Sequence, residues 1–160
     1  MEIHHPLLVI SARVLLEAEH SPRANEVFRR LANLSRTGTH LLLTEAEPDQ
    51  WFPTRSSDDN VLSAQGRLQQ RLQEMGGDLD GVYYVPRSVF TQDRNRLGAL
   101  GDILVRYSTT ADNTLLISSS KAFLKAAERI SIGTHAIPKG DTGVESLIDI
   151  LKELEATRAP

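Results

Sequence analysis

Apolar positions along the chain alternate between short unbroken runs and longer stretches that repeat at helical spacing. The runs are residues 7–10, 40–43, 82–85 and 115–117, read as Leu-Leu-Val-Ile, His-Leu-Leu-Leu, Val-Tyr-Tyr-Val and Leu-Leu-Ile. A strand with few polar positions has no face to give to water, which predicts a parallel sheet covered on both sides. Between the runs, Val27, Phe28, Leu31 and Leu34 form one apolar stripe, and Val61, Leu68, Leu72 and Met75 a second. Leu100, Ile103, Leu104 and Tyr107 form a third, and Phe123, Leu124, Ala127 and Ile130 a fourth within residues 121–130. Leu147, Ile148, Leu151 and Leu154 mark a last helix over 144–154, with Thr142 and Glu145 at capping-box spacing.

Punctuation supports these elements. Ser21-Pro22 predicts the start of the first helix, because serine caps free backbone donors and proline is tolerated at the first helical position. Gly38 ends that helix and Gly76-Gly77 the next. Residues 135–138 predict a short edge strand, while 45–60 and 86–97 read as long loops, a length that often carries function. Strands alternating with helices predict an α/β fold: a Rossmann-like three-layer α/β/α sandwich with a mostly parallel sheet. One domain over 1–160 is expected, with no cap domain and no internal repeat. At 160 residues, about 68–70% of the unfolded surface can be buried, enough for a real core.

Such folds place their sites outside the carboxyl ends of the strands. The residues following the four runs are Ser11-Ala12-Arg13, Thr44-Glu45-Ala46, Pro86-Arg87-Ser88 and Ser118-Ser119-Ser120. Only Glu45 is acidic, so the carboxylates that strand-end catalysis and metal binding usually need are missing. The net charge of -3, with Lys and Arg scattered, argues against nucleic acid as a partner. Without cysteine there is no disulfide and no thiolate zinc site, a composition suited to a reducing compartment. No apolar run approaches about 18 residues and the start lacks the regions of a signal peptide, so a cytoplasmic protein with no membrane partner is expected. His4, His5, His20, His40 and His135 show no ligand spacing.

Strand order, loop placement and helix lengths over residues 6–150 resemble the haloacid-dehalogenase (HAD) superfamily, most closely its small bacterial heptose-bisphosphate and histidinol-phosphate phosphatases. The resemblance implies an aspartate nucleophile where Ser11 stands and an acid/base aspartate where Arg13 stands. An arginine stays protonated near neutral pH and cannot serve as that acid and base. The family's phosphate-binding Thr or Ser is matched by Thr44, and its lysine position by Arg94 within Arg94-Asn95-Arg96-Leu97-Gly98. Its Gly-Asp-Ser-x-x-Asp magnesium motif is matched by residues 118–123, which puts Ser119 and Phe123 at the two acidic positions. Magnesium wants oxygen ligands, commonly carboxylates, so the resemblance implies a fold without the family's metal or chemistry. Val85-Pro86-Arg87-Ser88 replaces the Cys-Pro-His start of the zinc loop of some relatives.

The expected function is therefore a catalytically inactive, HAD-like binding, regulatory or scaffold protein. A sugar-phosphate phosphatase and a non-catalytic sensor of a phosphorylated metabolite are the alternatives. For the phosphatase, a carboxylate such as Glu45 or Asp93 would have to enter the cleft. Ser11, Arg13, Thr44, Arg94, Ser118 and Ser119 are candidates for an anion site near helix amino ends; the plainer reading is that these hydroxyls only cap the following helices. Trp51 and Phe52, with Arg55 nearby, are candidate anchors for a protein partner or a lid over the cleft.

Overall fold

The computed structural model describes residues 6–46, 57–86 and 91–158, excluding the side chains of 57–62, 141 and 158. Strands β1 (Leu7–Ser11), β2 (His40–Ala46), β3 (Gly81–Val85), β4 (Thr114–Ser118) and β5 (Gly133–Ala136) pair in the order β3-β2-β1-β4-β5. Every pairing is parallel. Helices α1 (Ala12–Glu19), α2 (Ala24–Arg36), α3 (Ser57–Glu74), α4 (Gln92–Arg106), α5 (Lys121–Arg129) and α6 (Asp141–Arg158) cover the sheet. The result is the three-layer Rossmann-like α/β/α sandwich that the unbroken apolar runs require.

Successive strand residues point to opposite faces, and the core divides accordingly. Leu8, Ile10, Leu41, Leu43 and Ile117 pack with α1, α2, α3 and α6 on one face. Leu7, Val9, Leu42 and Leu116 pack with α4 and α5 on the other. The connection from β1 through β2 to β3 moves outward in one direction, and β4 and β5 then fill in on the other side of β1. The strand order therefore reverses between β1 and β4, the place where open parallel sheets form a crevice.

Several boundaries differ from the pattern expected. Helix α1 begins directly after β1, with Ala12, Val14, Leu15 and Ala18 buried; no turn residue separates it from the strand, so it reads as a continuation of the apolar run. Ser21-Pro22 forms the turn between α1 and α2, where the Ser21 hydroxyl accepts from the Arg23 amide at 3.1 Å, and α2 starts only at Ala24. Helix α4 starts at Gln92, inside the stretch expected as a loop, because residues 92–96 are polar and show no apolar stripe. Residues 45–46 belong to β2 and 57–60 to α3, which shortens the other expected loop. Helix α6 extends over Asp141–Arg158, beyond the expected 144–154. Strand β5 lies two residues earlier than expected, leaving Pro138, which has no N–H to give a ladder, outside it.

Polar tethers hold edge strand β3 to its neighbours. The Tyr83 hydroxyl donates to Asp102 of α4 at 2.6 Å, and the Tyr84 hydroxyl donates to the amide oxygen of Gln65 in α3. Burial raises both phenols above their ordinary value, and for Tyr83 the Asp102 carboxylate adds to the rise, so both remain neutral donors. Across the other layer, Arg30 of α2 reaches Glu155 of α6 at 3.3 Å.

One close approach fixes the loop between β5 and α6. A Cβ at Gly143 would lie 2.2 Å from the Pro138 carbonyl oxygen and 3.1 Å from Ile137. Gly143→Ala is expected to push this loop off the sheet and destabilise the chain by about 1–3 kcal/mol, the usual penalty for overpacking. Thermal unfolding checks this, with an expected loss of about 2–4 °C per kcal/mol.

Candidate functional site

In-register pairing aligns three hydroxyls at the point where the strand order reverses. Ser11 pairs with Thr44, and Ile10 pairs with Ile117, so Ser118 stands beside Ser11 on the other side. Ser11, Thr44 and Ser118 each follow a residue of the α4–α5 core, Val9, Leu42 and Leu116, by two positions. Strand alternation therefore directs all three toward that face, at the carboxyl edge of the sheet.

Their hydrogen bonds separate framework from free donors. The Ser11 hydroxyl donates to the Ser118 hydroxyl oxygen at 2.8 Å, and that oxygen also accepts from the Ser120 amide at 3.1 Å. Ser118 is fully buried. The Ser120 hydroxyl accepts from the Phe123 amide at 3.3 Å, which caps α5. Ser11 occupies the cap position of α1 but forms no side-chain cap, because its hydroxyl is turned to Ser118. The first-turn amides of α1 are thus left uncapped, and neither α1 nor α5 carries an acidic residue in its first turn. Thr44 is only 3% exposed, and its hydroxyl has no hydrogen-bond partner among the described residues.

These groups line a cavity of about 770 Å³. Arg13, Arg96, Lys121 and Lys139 bring positive charge to it, against Glu17 and Glu45. Arg96 is paired with Asp93 at 3.0 Å. Glu45 is turned to its neighbour's backbone, accepting from the Ala46 amide at 3.0 Å. Among the described residues, Arg13, Lys121 and Lys139 have no ion pair. Ala46, Val85 and Phe123 form an apolar wall.

Of the residues singled out from the sequence, Ser11, Arg13, Thr44, Ser118, Ser119 and Phe123 line this cavity. Arg94 does not: it is exposed on α4 and absent from the lining. Two residues along a helix turn the side chain by about 200°, so α4 presents Arg96 where a loop reading had favoured Arg94. Trp51, Phe52 and Arg55 lie outside the described residues. Gln92, Arg96, Lys139 and Glu17 were missed. The signal for Lys139 was its place just after an edge strand; Arg96 required the helical phase of α4, and Glu17 required α1.

The donor set suits an anion and not a resident divalent cation. Among the described residues, no group of three or more His, Cys, Asp or Glu side chains could hold a metal. Four cationic side chains outnumber two carboxylates in the lining, and uncapped amides at a helix amino end favour negative charge. The magnesium that the resembled superfamily uses does not fit these residues.

No family model matches the chain, and no curated protein matches it. Among solved structures, it is similar to an uncharacterized protein from Corynebacterium glutamicum ATCC 13032 Kitasato, with a TM-score of 0.57 at 10% identity, covering 92% of this chain and 96% of that one. That likeness speaks for the fold alone.

If Ser118 is the keystone of the crevice, Ser118→Ala leaves the Ser120 amide and the half-buried Ser11 hydroxyl without their partner. The expected loss is about 0.5–1.5 kcal/mol for each hydrogen bond removed. Ser119→Ala, which removes no hydrogen bond among the described residues, is expected within about 0.5 kcal/mol of the parent. Denaturant unfolding of the two variants side by side checks the contrast.

Proposed function

We propose that this chain is a non-catalytic, HAD-like binding module whose crevice takes a phosphorylated small molecule without a metal ion. The observation that carries the reading is a convergence at one point. The uncapped amino end of α1, the hydroxyl of buried Thr44, which has no partner among the described residues, and the cations Arg13, Lys121 and Lys139 all border the same cavity. Each is a donor or a positive charge, and together they match the oxygens of a phosphoryl group. A cavity of about 770 Å³ is larger than a bare phosphate needs and lies in the range of small-molecule sites.

Lack of turnover follows from the chemistry of the lining. Among the described residues, no histidine lines the cavity with Ser11, whose hydroxyl donates to Ser118. At the position matching the family's acid and base stands Arg13, whose guanidinium offers donors and no acceptor for a proton. A binding protein of this kind would act as a regulatory or scaffold element, reporting the ligand to a protein partner.

A second reading is favoured by one observation. Glu45 and Glu17 do line the cavity, and a carboxylate there is what a phosphatase would require. In that reading the substrate is a sugar phosphate, and Thr44 and the cations bind its phosphoryl group.

Calorimetry with a hexose phosphate in EDTA is expected to give saturable binding that Arg13→Ala weakens by about tenfold, the size of one charge-assisted hydrogen bond. Affinity is expected to rise with pH through about 6, as the phosphomonoester takes its second charge. Phosphate release in magnesium that Glu45→Gln abolishes would overturn the non-catalytic reading in favour of the second.

A further inference from the structure

A second groove opens beside the crevice, between α4 and α5. It has a volume of about 390 Å³ and is lined by Asp93, Lys121, Ala122, Lys125, Ala126 and Arg129. Lys121 borders both this groove and the crevice, so the two are adjoining. Lys121, Lys125 and Arg129 recur every four residues and form one exposed stripe along α5, with small alanines between them.

Like charges four apart on a helix repel, so this stripe costs helix stability unless something negative lies along it. Among the described residues, no carboxylate pairs with it. Among the described residues, none of the three cations forms an ion pair or hydrogen bond. Asp93, the one acid in the groove, is paired with Arg96 at 3.0 Å, and Glu128 of α5 instead accepts from Thr134 at 3.2 Å.

We infer that the anion site continues into this groove and that the ligand is a linear phosphoanhydride chain, its first phosphoryl group in the crevice and the next ones along α5. This rests on the binding reading given above. Four residues advance about 6 Å along a helix, so Lys121, Lys125 and Arg129 offer charge at regular steps to an extended chain of phosphates. Of these three cations only Lys121 also lines the crevice, so a single phosphoryl group there leaves Lys125 and Arg129 unused. The chemistry is shared by a nucleoside triphosphate and by inorganic polyphosphate.

Calorimetry in EDTA with orthophosphate, tripolyphosphate and a nucleoside triphosphate tests this. Tripolyphosphate is expected to bind at least about tenfold more tightly than orthophosphate, as added charge-assisted contacts would give. The double substitution Lys125→Ala with Arg129→Ala, both exposed, is expected to remove that advantage and leave orthophosphate binding unchanged. Lys152→Ala, on α6 across the sheet, is expected to change neither. Equal affinity for the two phosphates, or an advantage that survives the double substitution, overturns the inference while leaving the crevice as a phosphate site. Failure of orthophosphate to bind the parent chain overturns the underlying reading as well. A nucleoside triphosphate tighter than tripolyphosphate supports the inference with a nucleotide as the source, and equality supports it with the phosphate chain alone.

Discussion

In-register parallel pairing of β2, β1 and β4 is the constraint on which the site depends. Because Ser11 is level with Thr44 and Ile10 with Ile117, hydroxyls from three neighbouring strands arrive together at the reversal of strand order. A slip of one residue in either pairing would turn a hydroxyl to the opposite face and put an apolar side chain in its place. The continuous burial of Leu7, Leu8, Val9 and Ile10 on both faces of the sheet holds that register. The hydrophobic core and the polar site are therefore set by the same alignment.

The Ser11–Ser118 hydrogen bond has two consequences at once. It joins β1 to β4 across the crevice, and it withdraws the Ser11 hydroxyl from the cap of α1. A serine at a cap position normally satisfies a first-turn amide. Here those amides stay available beside Thr44, Arg13 and Lys121, and the helix dipole adds to their preference for negative charge. With net charge -3 over the whole chain, the excess of cations in this lining is a local feature that runs against the global balance. Local fields of this kind decide what binds, and the sign here is the opposite of what a divalent metal requires.

Much of this was legible in the chain because it depends on short-range patterns. Unbroken apolar runs announced buried parallel strands, and the polar residues just after them identified Ser11, Thr44 and Ser118 without any knowledge of side-chain packing. Arg13 and Ser119 followed from adjacency. What escaped depended on where helices start. Helix α1 follows β1 with no loop between them, and α4 begins with a polar segment whose apolar stripe appears only later. Without the phase of α4, Arg94 and Arg96 look equivalent; with it, only Arg96 lines the cavity. The groove along α5 was written in the spacing of Lys121, Lys125 and Arg129, but its meaning depended on α4 lying beside it. The HAD resemblance was drawn from strand order, loop placement and helix lengths, and the likeness to a solved structure at 10% identity speaks for the fold alone.

The most direct test of the central claim is a titration of the isotopically labelled chain with orthophosphate in EDTA, followed by amide nuclear magnetic resonance. A metal-free anion site at the reversal point predicts saturable shifts confined to the first turns of α1 and α5 and to Thr44, all following one binding curve. Shifts scattered over exposed lysines without saturation, or shifts at these amides that appear only when magnesium is added, would contradict it.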